Sequence, residues 1–302
     1  MPDTQDDMVE KRYGYQDYLH NGAKISQNSL ILPPNSLFMT VNDILNCITE
    51  IAPLKWQEHY DNAGIQVGDL NAEVRKALIA LDVTEELVDE AIAKNCDLII
   101  SHHPLIFHGL KHLTPDTYIE RVVMKAIKHD IAIISMHTNL DNSYLGVSRV
   151  LAEKLGLTNL HLLQPSADEP EICGAGMIGE FASPVKELDF LSLVADCIGS
   201  PCLRHSELTG RDVRKVALCG GSGTPFMPDA LRKKADAYLT ADIKYHDFFV
   251  PEGNILLVDG GHFETEQFTK ELIKDLILKK IPKFAAEIAE TNTNAVHYFC
   301  RR

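Results

Sequence analysis

The chain has 302 residues, 45% apolar and 24% charged, and its 43 acidic against 29 basic side chains leave a net charge of −14. That composition excludes a disordered or collagen-like chain, and at roughly 150 residues per domain the length fits two domains or one large one. So acidic a balance argues against nucleic acid as a partner, because affinity for polyphosphate comes from Lys and Arg. A membrane protein is excluded too, since no apolar run reaches the roughly 20 residues that span a bilayer.

Residues 1–38 lack sustained periodicity, end in the turn-rich ILPPNS and read as a loosely attached extension, with Met39 a candidate start. The opening MPDTQDDMVEKRYGYQ is neither a secretory signal nor a transit peptide. Next, VNDILNCITEIAP carries a helical stripe at Ile44, Leu45, Ile48 and Ile51, ended by Pro53. From there strands and helices alternate. Ala77–Val83 is a short apolar run, EELVDEAIAKN a helix, and DLIIS a second strand ending at His102-His103. A helix over roughly Thr117–Lys128 leads to the strand IAIISMH and a further helix that stops at Gly156. The second half repeats the plan with the strand VRKVALCGG, the helix PDALRKKA, the strands AYLTAD and NILLVDGGH, and a long helix through about Lys279. Apolar strands alternating with helices predict a largely parallel sheet covered on both faces, with ligands at the carboxyl ends of the strands.

The halves share residues as well as rhythm. Val74-Arg75-Lys76 recurs as Val213-Arg214-Lys215, 139 residues on, and at the same offset Ala91, Lys94 and Asp97 match Ala230, Lys233 and Asp236. The expected fold class is therefore α/β: a two-lobed, internally duplicated α/β/α sandwich with a metal site in the cleft between lobes. The first lobe is expected over 39–165, rejoined by 262–302, and the second over 166–261. Under this register Ser101-His102-His103 corresponds to Thr240-Ala241-Asp242, so the second copy has lost the histidines.

Seven cysteines (47, 96, 173, 197, 202, 219 and 300) form no CxxC pair, and several lie inside apolar runs. This is the pattern of reduced thiols in a cytoplasmic protein.

Three segments place ligand-type side chains where predicted strands end: Ser101-His102-His103-Pro104, His137-Thr138-Asn139-Leu140-Asp141, and Gly260-Gly261-His262-Phe263-Glu264-Thr265-Glu266. A helix starting near His262 puts His262 and Glu266 on one face. A lone His-His pair is more often packing than ligation; the coincidence of three segments favours metal. His102, His103, Asp141, His262 and Glu266 make three nitrogens and two carboxylates, a set that Zn, Fe, Mn, Co or Ni accepts. Five ligands exceed one catalytic tetrahedral site and fit two divalent ions about 3.5–4 Å apart.

The chain resembles the GTP cyclohydrolase 1 type 2 family, also called the Nif-three-like proteins, from residue 39 to about 280. The matching motifs are YDNAGIQVGD (60–69), SHHPLIF (101–107), HTNLD (137–141), LCGGSG (218–223), TADIKYHD (240–247) and GHFETE (261–266). The resemblance implies a homo-oligomeric ring, a toroidal hexamer of two-lobed subunits, each with a dinuclear site held by the same five residues and bridged by Glu266. With about seventy residues between Asp141 and the second repeat, the chain looks like a short form without the inserted domain. The family name implies attack on the purine ring of GTP with release of formate, the GGSG loop and local basic groups holding the triphosphate.

Softer signals remain open. Gly220-Gly221-Ser222-Gly223 reads either as a phosphate cradle or as a tight turn. His246 reads as a general acid or base or as a helix-surface histidine, and the resemblance favours the site. His137 reads as an orienting partner of the metal site or a substrate contact. Asp61 and Asn62 either shape the cleft wall or make an Asx-type turn. His108, His112, His129 and His297 show no pairing logic. The functional expectation is a dinuclear metal-dependent hydrolase; the alternative is a non-enzymatic metal carrier, store or regulatory scaffold using the same ligands.

Overall fold

The computed structural model describes residues 39–299; the expected extension and Cys300 lie outside the described residues. In chain order, β1 (Met39–Thr40) runs into α1 (Val41–Thr49), where Thr40 and Asp43 form a capping box. Then come β2 (Gly64–Val67), β3 (Glu73–Val74), β4 (Lys76–Ala80), α2 (Glu85–Ala93), β5 (Leu98–Ser101), α3 (Tyr118–Lys128), β6 (Ala132–Ser135), the one-turn α4 (Thr138–Asp141) and α5 (Val147–Lys154). They are followed by β7 (Thr158–Pro165), β8 (Gly174–Val185), α6 (Glu187–Ile198), β9 (Arg204–His205), β10 (Val213–Leu218), α7 (Met227–Arg232), β11 (Ala237–Thr240) and β12 (Leu256–Asp259). Last are α8 (His262–Glu266), α9 (Thr269–Lys280) and β13 (Ala285–Ile288).

The chain forms two compact units, one of the described residues up to Leu140 plus Thr269–Asn294, the other of Asp141–Phe268 plus the residues from Ala295 on. This differs from the expected division at 165/166. Strand β7 pairs antiparallel with β8, so residues 141–165 belong with the second sheet, and β13 pairs parallel with β4, so it is the last helix and strand that rejoin the first.

In the first unit the sheet order is β13-β4-β5-β6-β2, parallel throughout except for β2 at the edge. Strands β5 and β6 are buried at every residue, as strands covered on both faces must be. Leu78, Ala80, Ile99 and Ile133 share one core with Leu87, Val88 and Ala91 of α2 and Val122, Val123 and Ala126 of α3. Because side chains alternate along a strand, the equally buried Ala77, Ile79, Leu98 and Ile100 face the other way, and α9 packs on α1, β4 and β13. Thr84 caps α2, and Thr117 with Glu120 forms a capping box on α3.

The second unit's sheet runs β7-β8-β10-β11-β12-β9. Only β10, β11 and β12 are mutually parallel; the β7-β8 hairpin and β9 add antiparallel edges, so this sheet is mixed rather than largely parallel. The offset of 139 that pairs residues in the sequence also pairs hydrogen bonds. The Asp97 carboxylate accepts from the backbone N–H of Arg75 (3.0 Å) and Lys76 (2.9 Å), and Asp236 accepts from Arg214 (3.0 Å) and Lys215 (2.8 Å). Both helices that precede these aspartates end alike: Cys96 N–H donates to Ala91 and Ala235 N–H to Ala230, with Asn95 and Lys234 each at a φ of 54°. The two strand–helix–strand segments thus share these hydrogen bonds and turns at one offset.

Candidate metal centre

In the first unit, β5 and β6 end side by side, with Ser101 opposite Ser135. The chain beyond β5 presents His102 and His103, and the chain beyond β6 presents His137. The three rings form a cluster: His102 lies 4.9 Å from His103 and 5.4 Å from His137, and His103 lies 5.5 Å from His137. Each ring is held at Nδ1 by an oxygen. His102 Nδ1 is 2.7 Å from the Met136 carbonyl, His103 Nδ1 is 2.7 Å from Asp82 Oδ1, and His137 Nδ1 is 2.8 Å from Asp61 Oδ1. A carbonyl or carboxylate oxygen can only accept, so the proton sits on Nδ1 and the lone pair of the neutral ring on Nε2. That is the tautomer in which an imidazole ligates a metal through Nε2 with its other nitrogen oriented from behind. His102 is fully buried, whereas His103 is partly open.

Asp61 does more than shape a wall or close a turn. Its carboxylate takes bonds from His137 Nδ1, from the backbone N–H of Thr138 (3.1 Å) and from the Thr138 hydroxyl. Burial alone would raise its pKa, but the bonds from His137 and Thr138 outweigh it and hold the carboxyl at about 2. Asp82, which also accepts from the Thr293 hydroxyl (3.2 Å), orients His103.

In the second unit, α8 starts at His262, directly after Gly261 at a φ of 89°. One helical turn brings His262 Nε2 to 3.1 Å from Glu266 Oε2, while its Nδ1 lies 2.7 Å from Asp242 Oδ2. Burial works against a charged ring, but the hydrogen bonds to Asp242 and Glu266 dominate and push the His262 pKa up to about 11. Ligation through Nε2 therefore requires loss of a proton. Asp141 and Glu266 both bear on Cys219, whose thiol is pushed up first by burial and then by these two carboxylates.

At the offset of 139 the residues that follow the two strands differ. After β5, position 103 is an imidazole oriented by Asp82; after β11 the matching position is Asp242, which orients an imidazole from α8. Asp82 itself corresponds to Gly221.

The glycine loop after β10 is a close-packing device rather than a phosphate cradle. The N–H groups of Gly220, Gly221 and Gly223 already donate to the hydroxyls of Ser148 (3.3 Å), Thr265 (3.0 Å) and Thr240 (2.8 Å). Gly221 has a φ of 59°, and a Cβ there would lie 2.9 Å from Glu266 Cδ and 3.2 Å from His262 Nε2. The loop is bare because the Glu266 carboxylate occupies the space a side chain would take. His246 is exposed on a 3-10 turn over Tyr245–Phe249, its ring 5.3 Å from that of Tyr245. His112, expected to be unpaired, bonds the buried Glu120 through Nδ1 at 2.7 Å.

The sequence reasoning did not single out Asp82 and Asp242. Both follow predicted strands, in ALIALDV and TADIKYHD, so the rule that selected the histidines also reached them. What hid them is that an orienting carboxylate has no spacing signature of its own.

Residues 39–295 match the family described as Duf34/NIF3 (NGG1p interacting factor 3). A Clostridium perfringens protein named as a GTP cyclohydrolase 1 type 2 homolog is 36% identical over 231 residues, covering 76% of this chain and 87% of its own length. A Campylobacter jejuni homolog of the same name is 32% identical over 268 residues, covering 86% of this chain and 100% of its own. Among solved structures, a Bacillus cereus protein related to NIF3 superposes with a TM-score of 0.82 at 25% identity, covering 87% of this chain and 100% of its own. A Staphylococcus aureus hypothetical protein gives a TM-score of 0.81 at 28% identity, covering 86% and 99%.

Proposed function

The chain belongs to the Duf34/NIF3 family, and from that premise we propose a metal-dependent hydrolase in which His102, His103, Asp141, His262 and Glu266 together hold two divalent ions. The observation that carries the reading is the wiring of the imidazoles. His102, His103 and His262 are each held at Nδ1 by a carbonyl or carboxylate oxygen, which directs Nε2 to ligation. With two carboxylates added, the donors suit Zn, Fe, Mn, Co or Ni. Glu266, with two oxygens and a glycine loop packed against it, is the proposed bridge.

Bound ions would supply Lewis acidity towards an electrophilic carbon and lower the pKa of a nearby water. The protein's own part is orientation and proton handling. Asp82 and Asp242 fix the rings of His103 and His262, and the Met136 carbonyl fixes His102. His137, held by Asp61, presents Nε2 as the proton acceptor and later donor. The substrate proposed is GTP or a related nucleotide, opened at the purine ring with release of formate, in line with the name of the curated relatives. The described cysteines are free thiols, which supports a reducing, cytoplasmic setting, and among the described residues no helix is long and apolar enough to cross a membrane. A homo-oligomeric, hexameric ring is part of the same proposal, and light scattering of the purified chain tests it.

The functional test is formate release from GTP by protein reconstituted with each metal in turn. Turnover is expected, reduced about 10²-fold or more in His137→Gln, because that is the scale of general acid–base catalysis. One observation favours a second reading, a metal carrier or regulatory scaffold: His246, expected to serve as acid or base, is exposed beside Tyr245. Metal-loaded protein that turns over neither GTP nor other nucleotides, yet passes its ions to a chelator, would establish that reading instead.

A further inference from the structure

Beside the three-histidine cluster, the first unit carries two exposed aromatic side chains. Phe107 is 37% exposed and Tyr60 56% exposed. The Phe107 ring lies 6.2 Å from that of His137, nearly perpendicular at 77°, and 6.4 Å from that of Tyr60, tilted at 49°. The segments bearing these rings are pinned to one another. Asn62 Nδ2 donates to the Ile106 carbonyl (2.7 Å), Ile106 N–H donates to Gln66 Oε1 (3.1 Å), and Gln66 Nε2 donates to the Asn62 carbonyl (2.5 Å). Both backbone groups of Ile106 are thus clamped by amide side chains, and Asp61, between Tyr60 and Asn62, is tied to His137 and Thr138. An exposed phenyl ring so firmly placed next to oriented imidazoles is a built surface, not a frayed loop.

We propose that Phe107, with Tyr60, forms the shelf on which the substrate stacks a flat heteroaromatic ring, placing that ring beside His137. This rests on the hydrolase reading above and specifies the part of the substrate recognised. The geometry sets how the ring lies. Sandwiching a third ring between two others needs near-parallel planes, and the Phe107 and Tyr60 rings are tilted at 49° to one another. The ring therefore stacks offset on the exposed face of Phe107, an arrangement the aromatic quadrupole favours, and meets Tyr60 at the same 49° tilt. Stacking of this kind tolerates different bases, because every base has a π-face. Discrimination among rings would then come from the polar groups around His137 rather than from the shelf.

The test uses metal-reconstituted full-length protein and two probes, guanosine, which has the ring and no phosphate, and ribose 5-phosphate, which has the phosphate and no ring. Binding is measured by calorimetry for wild type, Phe107→Leu and Phe107→Trp, with metal content and oligomeric state recorded for each. Expected are about tenfold weaker guanosine binding in Phe107→Leu, wild-type or tighter binding in Phe107→Trp, and unchanged ribose 5-phosphate binding. Guanosine that fails to bind wild type, binds Phe107→Leu equally well, or is lost in parallel with ribose 5-phosphate overturns the shelf. A change of oligomeric state in Phe107→Leu without a change in guanosine affinity also overturns it, assigning the surface to a second copy of the chain. Metal content separates this from the hydrolase reading. Metal-free protein that still shows the Phe107 effect keeps the shelf and removes the dinuclear site, whereas metal-replete protein indifferent to Phe107 does the reverse.

Discussion

At the scale of single residues, the second set of side chains explains more than the ligands do. Asp61 has its side chain fully buried and its pKa held at about 2, below the roughly 3.9 of an unfolded aspartate. A depressed carboxyl stabilises the fold above the unfolded value and loses that contribution as pH falls through the folded one. Asp61→Asn is therefore expected to destabilise the chain by about 2 kcal/mol at pH 7, with the gap to wild type closing between pH 4 and pH 2. Urea unfolding at both ends of that window checks it; a gap independent of pH would mean the charge is not what matters. Gly221→Ala addresses the glycine loop. Its methyl would meet the Glu266 carboxylate at a backbone angle that favours glycine, so metal content should fall even where the protein remains folded. If Gly221→Ala binds metal like wild type, the close-packing account of the loop is wrong.

At the scale of elements, the repeated strand–helix–strand unit makes a paired prediction. Asp97 and Asp236 each accept two backbone N–H groups at the start of a central strand. Burial opposes a low pKa for Asp97, but the bonds from Lys76 and Arg75 outweigh it and hold the carboxyl below its usual range. Asp97→Ala and Asp236→Ala should each cost about 1–3 kcal/mol, the penalty for stranding hydrogen-bonding groups, and the two costs should be similar. Urea midpoints for the pair decide this; a large effect for one and none for the other would argue that the correspondence is superficial. The identity of Val74-Arg75-Lys76 with Val213-Arg214-Lys215 made this pair legible in the sequence, because the aspartates sit at the same offset. The sheet edges were not legible. The β7-β8 hairpin and β9 are antiparallel additions whose pairing depends on contacts distant in sequence, and hydrophobic alternation does not encode strand order.

At the scale of the whole molecule, the sequence located the strand ends and therefore the histidines, since His102, His103, His137 and His262 all follow directly on β5, β6 and β12 or open the next helix. The unit boundary was missed by about 25 residues, because a strand's membership is set by its partner rather than by its own composition. The sequence left the glycine loop open between a phosphate cradle and a tight turn, and His246 open between an acid or base and a surface histidine, for a related reason. A Gly-rich turn looks the same whether its N–H groups are free or bonded to hydroxyls elsewhere, and KYHD carries no sign that its ring turns outward. Chelation should act on the molecule as a whole. If the ions bind only the folded state, removing them lowers the unfolding temperature, by an amount that grows with the ratio of metal concentration to Kd. A scan with and without EDTA measures this, and identical transitions would contradict a resident metal.

The central claim is that one set of five side chains holds two ions. Elemental mass spectrometry of the purified chain tests it most directly, with wild type and Glu266→Gln handled identically. Near two divalent ions per chain in wild type, falling to one or none in the variant, is the predicted result. If both proteins stay empty after incubation with zinc, manganese and ferrous iron, the ligand assignment is contradicted and the hydrolase reading falls with it.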